Sequence, residues 1–363
     1  MAVIDLSPGD ESAVEEFSGA LFMACLASIE LANVELGIRL GLYESLAKHG
    51  PMTADELATS ADIVTRYAQE WLEQQAMAGV LEVENVSAGS RERRFTLPNA
   101  HAHVLIDDDS DACMKPCASV VPWLATALDV MTAEFRAGDG AAFSEFDLHD
   151  IQAAFTRPAF RNHLVQSWLP AVEDVHARLA AGEQVRIADI GCGEGLASIT
   201  IAEAFPNARV DGFDLDDASI AAAKAGATAS GLGARVHFEV CDVAGTDITG
   251  PYDLVLLIEM LHDLPDPVGA LLTARRAAGA DGAVVVIDER TEDEFALPGS
   301  EMERLFYGFS TLHCLSVSMQ NGGAGTGTVI RAETVRRLAS EAGFDHVDVL
   351  DVEHPQFRLY RLS

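Results

Sequence analysis

Positive charge is scarce in this chain: 24 Lys and Arg stand against 57 Asp and Glu, a formal net charge of −33 over 363 residues. That deficit argues against a nucleic acid or an anionic membrane surface as partner, because either is repelled at long range. Cysteine is sparse as well. The six, Cys25, Cys113, Cys117, Cys192, Cys241 and Cys314, are too scattered for a disulfide framework. Cys113 and Cys117 make half a metal site with no second pair, and no clustered Asp-Asn set for Mg²⁺ is visible, so no metal is expected. His101 and His103, ahead of an acidic run, read as part of a solvated turn. Unbroken apolar length is lacking too. The stretch Leu21 to Leu31 is interrupted by Glu30, with Asn33 and Glu35 following, and reads as too short to span a bilayer. Met1 to Glu16 is acidic and has no basic segment, so no secretory leader is expected. What remains is a cytoplasmic, two-domain chain without internal repeats, whose 49% hydrophobic content supports a sizeable core.

The most informative segment present is Ala188-Asp189-Ile190-Gly191-Cys192-Gly193-Glu194-Gly195, between a strand-like run and a helix-like one, Leu196 to Phe205. Glycines at alternate positions let a bulky ligand lie against bare backbone at a strand-to-helix turn. A dinucleotide fingerprint needs its last glycine one position later, where Leu196 stands, so a pyrophosphate cradle is disfavoured. Arg209 to Asp214 reads as a second strand ending in an acid able to accept two ribose hydroxyls. Val236 to Val240 reads as a third, ending near Asp242, an acid able to accept the exocyclic amine of adenine. A fully apolar fourth strand, Tyr252 to Ile258, ends at Glu259, and a fifth, Ala283 to Ile287, ends at Asp288 and Glu289. Helical runs Ala218 to Ser230 and Pro267 to Ala278, closed by Gly231 and Gly279, lie between. Strands Val347 to Val352 and Phe357 to Leu362 end the chain, giving an α/β fold.

In order and spacing, this half of the chain resembles the class I S-adenosylmethionine (SAM) methyltransferases. The resemblance implies a seven-stranded, mostly parallel Rossmann-like sheet with SAM as cofactor and S-adenosylhomocysteine as product. It places Asp189, Gly191, Cys192, Gly193, Gly195, Asp214, Leu215, Asp242, Val243 and Glu259 around that cofactor.

Upstream, residues 17 to 48 read as apolar helices. Thr53 with Glu56 makes a capping box for a further helix, Val64 to Ala78 follows, and runs Val80 to Val83 and Arg94 to Leu97 form a hairpin. Helices followed by a hairpin make a winged-helix pattern. Its presumptive recognition helix sets Arg66 against Asp62, Glu70 and Glu73, the wrong sign for phosphate contacts. The same module occurs in small-molecule O-methyltransferases, which implies a role in homodimerisation and in closing the substrate site. The expected division is residues 1–105 as this mainly helical domain, 106–183 as a helical linker and substrate cap, and 184–363 as the SAM-binding domain.

Methyl transfer from a sulfonium needs an aligned nucleophile and, for an oxygen acceptor, a base. Met260-Leu261-His262-Asp263 follows the fourth strand, where plant-type and bacterial O-methyltransferases carry a His-Asp pair whose histidine is the base. The resemblance assigns that role to His262, although Leu264 stands where those families carry Trp. Helical neighbours point apart, so Asp263 is not expected to orient it; the resemblance places a carboxylate beside the base where Asp288 and Glu289 stand, at the tip of the fifth strand. His313, in Tyr307-Gly308-Phe309-Ser310-Thr311-Leu312-His313-Cys314, is the rival base. That tract, with Gly325 to Thr328, resembles a bacterial, especially actinobacterial, subgroup of winged-helix methyltransferases. The acceptor is expected to be a small, partly apolar molecule. The alternative from another class is a SAM-binding regulator.

Overall fold

The computed structural model describes residue 7, residues 9–246 and residues 248–363. The expectation of no leader therefore rests partly on residues 1–6 and 8, which lie outside the described residues. The chain divides into two compact units, 1–124 and 125–363. The boundary falls inside a helix, so the stretch 106–183 expected as a separate linker and cap is shared between the two units.

The first unit opens with α1 (Asp10–Arg39), α2 (Leu42–His49), α3 (Ala54–Ala61) and α4 (Thr65–Met77), then a short hairpin of β1 (Glu82–Val83) and β2 (Phe95–Thr96), and α5 (Asn99–Leu105). The capping box forms as read: Glu56 N–H donates to Thr53 Oγ1, and Thr53 N–H to Glu56 Oε2 at 2.8 Å. A core of Leu42, Tyr43, Leu46, Leu57, Trp71, Leu72 and Phe95 holds these elements together. In α4 the exposed Arg66 is paired with Glu70.

One expectation is corrected here. α1 is a single 30-residue helix, and its most apolar window has mean hydropathy 1.6 with only 17% of it buried. By length and composition α1 can cross a bilayer, as can α6 (Lys115–Ala137), so the apolar stretch is not too short. The interrupting Glu30 and Asn33 do not end the helix. Instead Asn33 Nδ2 donates to Ile29 O, one turn back.

In the second unit the rest of the helical region comprises α7 (His149–Ala159), a π-helical stretch Phe160–Trp168, and α8 (Glu173–Ala180). The sheet then follows in chain order: β3 (Arg186–Ile190), α9 (Leu196–Ala204), β4 (Arg209–Asp214), α10 (Asp217–Ala229), β5 (Val236–Val240), β6 (Leu254–Ile258), α11 (Pro267–Ala278), β7 (Ala283–Glu289), α12 (Glu301–Phe309), α13 (Leu315–Met319), α14 (Ala332–Glu341), β8 (Val347–Val349) and β9 (Phe357–Leu362). The strand order is β5-β4-β3-β6-β7-β9-β8, parallel except at β9, which pairs antiparallel with both β7 and β8. The seven-stranded sheet and the two closing strands are as expected.

Period-two alternation splits the strands between two apolar layers. Ile187, Val210, Leu256 and Val285 face one; Ala188, Phe213, Val255 and Val286 face the other. β6 and β7 are buried along their whole length, which is why their sequences are apolar runs, unbroken in β6 and up to Ile287 in β7. Burial on both faces leaves only the strand ends free to present polar groups. The order reverses at β3, with β4 on one side and β6 on the other, so the crevice at the C-terminal ends of these strands lies at a topological switch point.

Candidate active site

The turn from β3 to α9 is built from left-handed glycines: Gly191, Gly193 and Gly195 have φ of 69°, 51° and 76°. Two of the three are also held by packing. A Cβ on Gly191 would lie 2.8 Å from Met260 Cγ, and one on Gly195 would lie 2.4 Å from Phe238 Cζ. At Gly193 nothing lies within 4 Å of the Cβ position, so there the backbone faces open space. That bare stretch is what a ligand lying on the main chain requires, and it fits SAM.

The acids around this turn are fixed by short hydrogen bonds. Asp189, buried at the end of β3, accepts from Ser198 Oγ at 2.6 Å, and burial pushes its carboxyl up to about 6. Asp214, at the tip of β4, accepts from Gly193 N–H at 2.8 Å and Asp216 N–H at 2.9 Å. Its carboxyl is raised by burial against the counter-effect of those bonds. Asp214 is thus tied to the loop through the same open glycine. Leu215 beside it is 68% exposed and offers an apolar flank. After β5, Asp242 is exposed, accepting from Ala244 N–H at 3.1 Å, while Val243 is buried in the core. Cys192 is half-buried, and burial raises its thiol.

A second set of groups gathers one and two strands over. Glu259 follows β6 with φ of 51°, a strained value for a residue with a side chain. Burial, with His262 opposing and Asp288 and Asp263 adding, sets its carboxyl at about 8. His262 lies on a 3₁₀ turn, Leu261–Asp263, and is 1% exposed. Its Nδ1 is 2.7 Å from Asp288 Oδ1 and 2.9 Å from Glu289 Oε2, and its Nε2 is 3.2 Å from Asp263 Oδ1. Burial pulls the imidazole down, but Glu289, Asp263 and Asp288 outweigh it and hold the ring well above its ordinary 6.5. Reciprocally, the imidazolium overcomes the burial of Asp288 and sets it at about 2. Glu289 goes the other way: burial and the Asp288 charge raise its carboxyl well above the ordinary range.

Asp263 overturns an expectation. A short 3₁₀ turn does not send consecutive side chains apart as an α-helix does, so Asp263 reaches the nitrogen of His262 opposite to Asp288. His313 sits on a π-helical turn, Ser310–Cys314, between α12 and α13. Its ring makes edge contacts with Phe143 and Phe146, centroids 5.1 and 4.6 Å apart, and burial lowers it to about 4. It is neutral at pH 7, whereas the carboxyl groups around His262 favour its charged form. The next residue, Cys314, comes close to His262 and Asp263, and two ligand-capable sets result: His262, Asp263, Cys314 and His262, Asp288, Glu289. No metal-ligand set was expected from the sequence, because these donors come from separated segments. Among them, Cys314 carried no signal of its own, while Asp263 stood in the His-Asp pair but was not expected to meet the ring.

Residues 181–330 match the family model of a methyltransferase domain, and residues 27–106 that of an Rv2258c-like winged HTH domain. A ubiquinone biosynthesis O-methyltransferase of Nitrosospira multiformis is 30% identical over 196 residues, 52% of this chain and 74% of that protein. The protein of the same name from Pseudomonas aeruginosa is 30% identical over 142 residues, and the chain spans 53% of its length. Among solved structures, PigF with SAH has a TM-score of 0.69 at 21% identity, covering 99% of this chain and 100% of that one. Mitomycin 7-O-methyltransferase MmcR has a TM-score of 0.67 at 19% identity, covering 98% and 99%. At those identities the likeness is one of fold.

Proposed function

The chain belongs to the SAM-dependent methyltransferases, and from that membership we propose that it methylates a small, partly apolar acceptor at a hydroxyl, with the His262 cluster handling the acceptor's proton. SAM, when bound, supplies an electrophilic methyl group and leaves as S-adenosylhomocysteine. The chain's own residues do the rest. Gly191 to Gly195 provide open backbone, Asp214 takes the ribose, and Asp242 with Leu215 and Val243 flanks the base. Asp288 and Glu289 hold Nδ1 of His262, so Nε2 is the nitrogen left to work on an acceptor once Asp263 yields it.

The observation that carries this reading is the side-by-side arrangement on one sheet. An uncrowded glycine turn follows β3, and a buried imidazole with four carboxyl groups around it follows β6 and β7. One observation favours a SAM-binding regulator instead: both ring nitrogens of His262 are already engaged by carboxylates. Turnover separates the two. The protein is incubated with SAM labelled in its methyl group and a library of small hydroxylated compounds. A labelled product, with stoichiometric S-adenosylhomocysteine, supports the enzyme; cofactor binding without any transfer supports the regulator.

For the first unit we propose homodimerisation through α1, on which Phe17, Leu21, Phe22, Met23 and Ile29 are all more than half exposed. Residues 1–105 act as that pairing module and 106–183 as the cap, in a cytoplasmic protein whose cysteines are free thiols. The Arg66–Glu70 pair keeps the recognition helix without a basic face for DNA.

A further inference from the structure

We propose that Glu259 is the residue that meets the positive charge of bound SAM, and that it releases a proton to do so. This rests on the reading of the glycine turn as the SAM site, and it gives that site a pH-dependent affinity for its cofactor.

The place of Glu259 in the sheet comes first. β3 and β6 lie side by side and pair as far as Ile190 with Leu257, so Gly191 and Glu259 follow where the two strands end. The next residue, Met260, packs against that glycine, its Cγ 2.8 Å from where a Cβ on Gly191 would lie. Three residues beyond Glu259 stands His262. Glu259 therefore borders both the cofactor turn and the reactive imidazole. Two of its features set it apart from the five apolar residues of β6 that precede it. Its backbone is left-handed, with φ of 51°, which a residue with a side chain adopts at a cost. One carboxyl oxygen, Oε2, is buried and has no hydrogen-bond partner. Strain and a missing partner in one residue are kept where a ligand supplies the partner.

The charges around it decide what kind of partner that is. His262 and Asp263 face it from the 3₁₀ turn, and Asp288 from the tip of β7. On the β3 side stand glycines and Cys192, whose thiol burial raises, while Glu194 faces Asp150 and His149 instead. Burial acts most strongly on Glu259, and Asp288 and Asp263 add to it, so the neutral carboxyl is favoured against the pull of His262. A cation reverses that balance. Once removed from water it needs a counter-charge, and an ionised carboxylate provides one. SAM carries two cations, the sulfonium and the α-ammonium. S-adenosylhomocysteine keeps only the ammonium, and 5′-methylthioadenosine, which lacks the amino-acid end, has neither. Binding of the cation lowers the Glu259 carboxyl and its proton passes to solvent. Affinity for the cation then rises with pH, by up to about tenfold per unit, until the free carboxyl is ionised.

The test is calorimetry of the full-length protein in two buffers of different ionisation enthalpy, at about pH 6.5, below the α-amino range of about 7.7–8.0. The difference in apparent enthalpy between the buffers counts the protons exchanged. The expected result is release of about one proton with SAM beyond whatever 5′-methylthioadenosine releases, a reference that cancels proton exchange at Asp189 or Asp214 caused by the adenosine end. Glu259→Gln abolishes that excess while binding 5′-methylthioadenosine at parental affinity, which shows that the variant folds. Release with both SAM and S-adenosylhomocysteine assigns the ammonium as partner, and release with SAM alone assigns the sulfonium. SAM binding without excess release overturns the proposal and spares the SAM site, as does excess release that persists in Glu259→Gln. Should that variant fail to fold, the parental difference between SAM and 5′-methylthioadenosine decides by itself. A parent protein that binds none of the three ligands overturns the SAM reading, and this inference with it.

Discussion

The two ends of the crevice are built on opposite plans. At the β3 and β4 ends the polar groups are satisfied within the protein: Asp189 by Ser198, Asp214 by two backbone N–H groups. Their partners are near in sequence or on the adjacent strand, and the conspicuous feature is empty space over Gly193. At the β6 and β7 ends the opposite holds. Four carboxyl groups, those of Glu259, Asp263, Asp288 and Glu289, crowd one buried imidazole, one oxygen each of Glu259 and Asp288 has no hydrogen-bond partner, and Glu259 sits in a strained conformation. The first region is preorganised to receive a ligand by shape. The second stores unfavourable electrostatics and strain around one imidazole, a state that costs stability and is retained where chemistry uses it. The proposed division of binding from reaction follows this contrast, and each side can be broken alone.

The largest effect belongs to the reactive side. His262→Ala is expected to lower kcat by about 10²–10⁴-fold, the usual contribution of a positioned proton-transfer group, with calorimetric affinity for S-adenosylhomocysteine unchanged. Turnover close to parental removes His262 from the machinery, and a matching loss of cofactor affinity removes the separation between the two regions. On the binding side, Asp214→Ala is expected to weaken S-adenosylhomocysteine by about tenfold to a hundredfold, roughly 1.4 kcal/mol per factor of ten. Equal affinity in the two proteins would rule out the ribose assignment.

The smallest effect sharpens the contrast by pH. Because its neighbours hold His262 above 6.5, a rate that needs the neutral ring rises with pH on the alkaline side of that ordinary value. Asp288→Asn removes one of the anions responsible, so the midpoint of that rise moves to lower pH; a midpoint that stays put or rises contradicts the electrostatic picture. The same shifts act on stability. Since the folded value of His262 is raised, its contribution is complete below about 6.5 and fades as pH climbs through the folded value. Asp288 is depressed to about 2, so its contribution is present above 3.8 and fades as pH falls toward 2.

The same contrast decides what could be read from the sequence. Local patterns carried the cofactor side: the alternate glycines, the strand ending at Asp214 and the helix Pro267–Ala278 fall where spacing and caps place them. The seven-stranded order followed from a family resemblance, and strand limits shifted by only a few residues, as where β7 continues through Asp288 and Glu289. The reactive side was legible only as a list. His262, Asp288, Glu289 and His313 could be named, but whether they met depended on packing between segments far apart in the chain. Asp263 was misjudged because a 3₁₀ turn and an α-helix cannot be told apart over three residues. Cys314 had no signal, since a lone buried cysteine looks like any small apolar residue. The apolar stretch in α1 was misjudged for another reason: isolated polar residues interrupt hydropathy without interrupting a helix.

The measurement that bears most directly on the account is a crystal structure of the full-length protein with S-adenosylhomocysteine. The predicted result is an adenosyl group lying along Gly191 to Gly195, its ribose hydroxyls on Asp214 and its sulfur directed toward His262. A ligand seated in any other crevice, or with its ribose away from Asp214, contradicts it.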